Sequence, residues 1–141
     1  MQWRTEYRVL RTDVGSRFLD GDEDIELQSD WRFFVTPFQA ENHMQFTGYC
    51  YLVTDEGIAQ AIAMAHAVPV PTPGHTTAYA QLPDLEEFFE SQIREQLYDL
   101  LRRTVTATGA LADISFRLPI TCPRDVKFKI LPPAPENEDD G

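Results

Sequence analysis

Residues 82–103, LPDLEEFFESQIREQLYDLLRR, carry the clearest structural signal in the chain. Large apolar side chains recur there at intervals of three and four residues, a spacing that places them on one face of an α-helix. They are Leu85, Phe88, Phe89, Ile93, Leu97, Leu100 and Leu101. Pro83 suits the first turn, and Arg102 and Arg103 suit the last turn, where the helix dipole favours cations. We therefore predict an amphipathic helix over 82–103, whose apolar face needs a surface to cover.

Four segments before this helix have the alternation and composition of β-strands. We predict strands over residues 2–13, 31–38 and 44–54, with a hairpin turn at Asp55–Gly57. The fourth segment, Ile58–Val68, leaves two possibilities. Its alanines favour a helix, whereas the preceding turn, the proline that follows and the alternation of larger residues with alanine favour a strand. We favour the strand, because its alanine face would let a helix or a second subunit come close.

The remaining segments are predicted from prolines, glycines and alternation. Residues 69–75 contain prolines at three positions and should form a linker without regular structure. After the helix, a run of threonines weakens helical propensity and Gly109 can close the end. Ala112–Ile120 alternates apolar and polar side chains and should be extended. Asp125–Leu131 alternates again and can add a last edge strand with outward lysines.

Together these elements predict an α+β fold, in which one long helix covers a four-stranded antiparallel sheet and an extended C-terminal segment follows. The length of 141 residues fits one domain, which we place at residues 1–131. Residues 132–141 are rich in proline and then acidic, so we expect a disordered acidic tail.

Charge and composition narrow the class of partner. The chain has 12 basic and 23 acidic residues and a net charge of −11. This balance argues against nucleic-acid binding, because neutralising phosphates needs a basic face. No run approaches the ~20 apolar residues of a membrane span, and the N-terminus lacks the apolar core of a signal peptide. We therefore expect a cytoplasmic protein that does not insert into membranes.

Residues that could carry catalysis or bind a metal are sparse and scattered. The three histidines, His43, His66 and His75, lie in separate segments without metal-ligand spacing. The acidic segment Asp20–Glu26 lacks the glycine and glutamate positions of an EF-hand loop, so we interpret it as a solvated loop. The two cysteines are too few for a disulfide framework. We expect no enzyme activity, no metal and no cofactor.

Aromatic side chains on both faces of the predicted strands are the most informative functional feature. Trp31 and Phe33 point to one face of their strand, whereas Phe34 points to the other. In the next strand, Tyr49 and Tyr51 share a face. Phe33, Phe34, Tyr49 and Tyr51 are candidates for binding extended polypeptide in an apolar groove. The alternative, that they are core or subunit-interface residues, fits the pattern equally well.

Four short motifs follow one another between residues 6 and 120. They are EYRVLRTD (Glu6–Asp13), QSDW (Gln28–Trp31), IREQLYDLLRR (Ile93–Arg103) and ADISFRLP (Ala112–Pro119). Their order and spacing resemble the SecB family of export chaperones. They look most like the branch that serves toxin–antitoxin systems, in which the helix also carries an arginine–glutamate pair and a Tyr-Asp. The family usually continues with a second amphipathic helix, which residues 121–133, TCPRDVKFKILPP, cannot form.

The resemblance implies a chaperone that binds unfolded polypeptide clients in extended form, without ATP, in a groove between sheet and helix. It implies a homo-oligomer, a dimer or tetramer, and for the export branch a SecA partner docked on an acidic sheet surface. By motif position, Asp13 would fall on that acidic surface and Trp31 would lie near the client groove. Phe33, Phe34, Tyr49 and Tyr51 are candidates from the residue pattern alone.

Two other functions fit the same residues. A structural or assembly protein, for example from a phage or a secretion operon, could use the sheet for self-association. A small-ligand-binding domain could instead hold an apolar molecule in a pocket under the Leu82–Arg103 helix.

Overall fold

A computed structural model describes residues 2–16, 26–38, 43–70 and 82–132. Its strands are β1 (Gln2–Ser16), β2 (Gln28–Phe38), β3 (His43–Val53), β4 (Gly57–Val70) and β5 (Lys127–Ile130). Its helical segment, 85–111, consists of α1 (Leu85–Phe88), a π-helical turn (Phe89–Ile93) and α2 (Arg94–Leu111). Of the predicted segments, residues 20–25 of the acidic loop, 71–75 of the linker and 133–141 of the tail lie outside the described residues.

The strands form one sheet in the order β1-β4-β3-β2-β5. Strands β1, β4, β3 and β2 pair antiparallel with their neighbours, and β5 lies parallel to β2. The predicted α+β class, with a long helix over a sheet, is confirmed. The predicted count of four strands is one short, because the lysine-bearing segment after the helix does pair at the edge. No helix in the described part of the chain is long and apolar enough to cross a membrane.

Ile58–Val68, for which the sequence allows a helix or a strand, is part of strand β4. Its alternate side chains are fully buried beneath the helix: Ala59, Ala61, Ala63, Ala65 and Ala67. The strand continues through Pro69 and Val70, which pair with Trp3 and Gln2. The prediction that residue 69 begins a linker without regular structure is therefore wrong. Proline is tolerated there because β4 no longer pairs with β3 beyond Ala67.

The helix rests on the smallest side chains of the sheet. Gly48 on β3 lies under α2, and a Cβ added there would come within 2.9 Å of Leu101 and 3.1 Å of Leu97. Larger side chains flank this strip and pack against its sides. Phe33 lies next to Phe89 with ring centroids 5.3 Å apart, and Phe89 stacks on Phe128 at 4.2 Å. The close approach thus depends on glycine and alanine at matching positions of β3 and β4.

Both helix ends differ from the prediction. The helix begins at Leu85 rather than Leu82, because the side chain of Asp84 is the N-cap and accepts a hydrogen bond from the Glu87 N–H at 3.0 Å. It ends at Leu111 rather than near Arg103, because Val105 and Gly109 are buried and this packing stabilises the last turns despite the threonines. Asp113, with a φ of 58°, then reverses the chain, so Gly109 is not the terminating residue.

Leu10 interrupts the alternation of β1 because it is the extra residue of a β-bulge. The register to β4 shifts between Val9 and Arg11. Before the bulge the odd-numbered residues Trp3 and Tyr7 face the helix, and after it an even-numbered residue, Val14, packs against the core. The bulge therefore changes which side chains of the edge strand reach solvent.

The buried alanines of β4 lead to a prediction about stability. Replacing Ala61 with Met should lower the free energy of unfolding by about 1–3 kcal/mol, because the added side chain has no space under the helix. Its neighbour Gln60 points to the opposite face and is half-buried, so Gln60→Met should change stability by only about 0.5 kcal/mol. Urea unfolding of both variants measures the difference. Equal effects would show that the helix does not constrain β4.

Candidate functional site

The five aromatic candidates from the sequence do not lie together. Trp31 and Phe33 lie on the helix side of β2, where they are 4% and 0% exposed. The ring centroids of Trp31 and Tyr98 lie 4.7 Å apart. The indole N–H of Trp31 donates to the Ser29 hydroxyl at 3.1 Å. These two residues are therefore part of the core beneath the helix.

Phe34, Tyr49 and Tyr51 lie on the other side of the sheet and are half-buried. Strand alternation places them there, because residues paired across strands share a face and their neighbours face the helix. No described helix or strand packs on this side, which we call the open sheet face. Asp13 also points to it from β1, where it is exposed and accepts a hydrogen bond from Arg11 at 2.7 Å.

A groove opens between the sheet and the start of the helix. It has a volume of about 770 Å³ and lies where the first residues of β1 pair with the end of β4. Its apolar lining residues are Trp3, Val70, Pro83 and Phe88. Trp3 and Phe88 meet edge to face with ring centroids 5.9 Å apart. We call this space the β1–helix groove.

Polar side chains surround the apolar floor of the groove. In the described part of the chain, its other lining residues are Gln2, Arg4, Asp84, Glu87, Ser91 and Gln92. Ser91 and Gln92 belong to the π-helical turn, in which the Arg94 N–H bonds to the Phe89 carbonyl five residues earlier. This turn inserts one residue into the helix and lets both Phe88 and Phe89 face the sheet. An apolar floor with a polar rim is typical of a site for peptides or small apolar molecules.

A second set of contacts fixes the chain after the helix against α2. Arg94 donates to the Pro123 carbonyl at 2.7 Å and to Glu90 at 2.9 Å, and Glu95 accepts from the backbone N–H of Cys122 at 3.0 Å. The Tyr98 hydroxyl donates to the Pro119 carbonyl at 2.6 Å. We call these contacts the C-terminal clamp. Arg94, Glu95 and Tyr98, which carry the family resemblance, thus have a structural role here.

Buried groups near the clamp keep their protons. Burial raises the pKa of Tyr98 to about 12 and the pKa of Cys50 to about 12. Burial also raises the pKa of the Cys122 thiol, against an opposing hydrogen bond from Arg94. Neither cysteine is therefore a thiolate at neutral pH, the form that reacts as a nucleophile. Among the described residues, no group of three His, Cys, Asp or Glu side chains could hold a metal ion.

A search of solved structures finds the same arrangement of sheet and helix. The Rv1957 SecB-like chaperone of Mycobacterium tuberculosis, in complex with a ChAD peptide from the Rv1956 HigA1 antitoxin, superposes with a TM-score of 0.57. The two chains are 19% identical over 86% of this chain and 87% of the other. This chain has a SecB-like fold.

Other comparisons add little to this SecB-like assignment. A protein of unknown function from Streptococcus agalactiae aligns with 84% of this chain and 98% of its own, at 16% identity and a TM-score of 0.44. No family model matches the sequence, and no curated protein matches it.

The groove residues were not identified from the sequence. The sequence places Trp3 in a strand and Phe88 on the apolar face of the helix, but nothing in it brings the two into contact. The available signal was the position of Trp3 on the first strand, in a segment whose other side is charged. Trp3 stays partly exposed on its edge strand, so it is a candidate for contact with a partner.

The raised pKa of Tyr98 makes a prediction about alkaline stability. The folded protein keeps the phenol proton from pH 10.0 to about 12, a range in which the unfolded chain loses it. The unfolded state then binds fewer protons, so stability should fall as pH rises through this range. Tyr98→Phe should lose about 1 kcal/mol at neutral pH, where the bond to Pro119 is missing, and should show a shallower decline above pH 10.

Urea unfolding of both proteins at pH values from about 8 to about 12 measures the two slopes. Burial also raises the pKa of Cys50, which is retained in both proteins. The decline of stability with pH should therefore be smaller in the variant but not absent. Identical slopes would show that Tyr98 is not protected from ionisation.

Proposed function

We propose that this protein is an ATP-independent chaperone that binds non-native polypeptide in extended form in the β1–helix groove. The observation that carries the proposal is the apolar floor of that groove, where half-buried Trp3, Val70 and Pro83 lie around the buried ring of Phe88. Large aromatic side chains contribute most of the energy at polypeptide-binding surfaces. A volume of about 770 Å³ has room for several side chains of a client.

The SecB-like fold supports the same proposal. The mycobacterial SecB-like chaperone with this fold was solved with a peptide from an antitoxin. A toxin–antitoxin role is therefore the narrower form that we favour over a role in export. The export role would need a SecA partner docked through Asp13, and the side chain of Asp13 is already paired with Arg11. Docking of SecA at Asp13 stays a prediction.

Homo-oligomerisation is a second part of the proposal. Strand β1 lies at the edge of the sheet, and its outer side pairs with no described strand over its 15 residues. A long unpaired edge is a template for another strand, and a second copy supplies one of matching length. Sedimentation should give the mass of a dimer or tetramer, and the mass of a single chain would contradict this part.

Client binding is tested by replacing Trp3. The wild-type protein, at a stoichiometric dose without ATP, should suppress the light scattering of a reduced, unfolded client. Trp3→Ser should weaken client affinity about tenfold or more, because a central aromatic contact is worth about 2 kcal/mol. Trp3→Phe should retain most of the affinity, since it keeps an aromatic ring against Phe88.

Leu111→Ser is the matched control, because Leu111 is 90% exposed and lies at the far end of the helix. Thermal unfolding of each variant separates lost binding from lost folding. Equal client affinity for the two serine variants would show that the client does not bind in the β1–helix groove. No effect on the client, together with large assemblies, would favour a structural protein. An apolar molecule that co-purifies and competes with dansylated fatty acid would favour a small-ligand site.

A further inference from the structure

The open sheet face has a charge pattern that the sequence does not show. Two neighbouring rows of paired residues run across all five strands on this face. The first row, from β5 to β1, is Lys129, Phe34, Thr47, Met64 and Arg8. The second row is Lys127, Arg32, Tyr49, Ile62 and Arg11. We call these two rows the cationic band, because each ends in basic residues and neither contains an acidic one.

The cationic band carries five positive charges in a chain whose net charge is −11. All five basic side chains are exposed. Arg11 and Arg32 pair with Asp13 and Asp30 of the adjoining row, at 2.7 and 2.9 Å. The other three, Arg8, Lys127 and Lys129, make no ion pair with any described residue. Cations therefore remain available at both ends of the band.

Apolar side chains occupy the middle of the band. Phe34, Tyr49, Ile62 and Met64 are half-buried although no described element packs on them. Five strands at about 4.8 Å spacing put the two basic ends roughly 19 Å apart. An extended peptide spans that distance with about six residues. The surface thus matches a segment that has acidic residues at both ends and apolar residues between them.

We propose that the open sheet face docks an acidic polypeptide segment of a partner protein, with two acidic clusters about six residues apart and apolar residues between them. The partner lies on the side of the sheet opposite the β1–helix groove. Binding there is independent of client binding and leaves the groove open. The protein can then hold a client on one side and the acidic partner on the other.

Two other occupants fit the band less well. Single-stranded nucleic acid would also stack on aromatic residues beside cations, but a net charge of −11 repels a polyanion at long range. A second copy meeting through the same face would place basic rows against basic rows, since such an interface is self-complementary. Neither objection applies to an acidic peptide. It carries only a few negative charges, and it does not place basic residues against the band.

The test uses a fluorescein-labelled peptide, EESFTLSEE, and its uncharged analogue, QQSFTLSQQ. Fluorescence anisotropy at low salt should show binding of the acidic peptide only, and added salt should weaken it. The double variant Arg8→Glu with Lys129→Glu should bind it at least tenfold more weakly, because both basic ends become acidic. The control variant, Arg117→Glu, reverses an exposed charge outside the sheet and should bind as the wild type does.

The remaining outcomes each decide the proposal. Equal binding of the two peptides, equal affinity in the double variant, or no binding at all would overturn it. Binding of labelled oligo-dT in place of the peptide would identify a nucleic-acid surface instead. A changed oligomeric mass in the double variant would identify contact between copies. Client suppression should be unaltered by the double variant, so failure of this proposal is distinguishable from failure of the groove.

Discussion

The structure depends on one close contact, between the helix and the small residues at the centre of the sheet. Gly48 and the alanines of β4 let α2 lie directly on the strands, and no larger side chain fits there. On the β2 side, aromatic rings fill the space beside the helix. On the β1 side, the described residues fill the space only in part, with Trp3 and Phe88, and the β1–helix groove remains. The candidate site is therefore a consequence of how the core is packed.

Much of this fold can be predicted from the sequence, because strands and helices each require apolar side chains to recur at short, regular intervals. Alternation correctly grouped Trp31 with Phe33 and Tyr49 with Tyr51, but it could not say which face the helix would cover. The helix ends were missed because they depend on a side-chain cap at Asp84 and on burial of Val105 and Gly109. The groove was missed because it forms where Gln2 pairs with Val70, a contact between distant parts of the chain.

Net charge was a poor guide to the surface. The sequence contains almost twice as many acidic as basic residues, which argues against any basic face. Strand pairing nevertheless gathers basic residues from β1, β2 and β5 into two adjoining rows. The pairing register of the strands determines which charged residues become neighbours, and composition alone gives no information on register. The two sides of the sheet consequently differ, with an aromatic groove on one and a basic-edged apolar surface on the other.

The central claim, that client polypeptide enters the β1–helix groove, can be tested on Trp3 itself. The chain has two tryptophans, so Trp31→Phe leaves Trp3 as the single indole reporter. Saturation with an unfolded, tryptophan-free client should shift the emission of Trp3 to shorter wavelength, because the client removes water from the indole. Anisotropy of a labelled client confirms that binding has occurred. Client binding without any change in Trp3 emission would contradict the account.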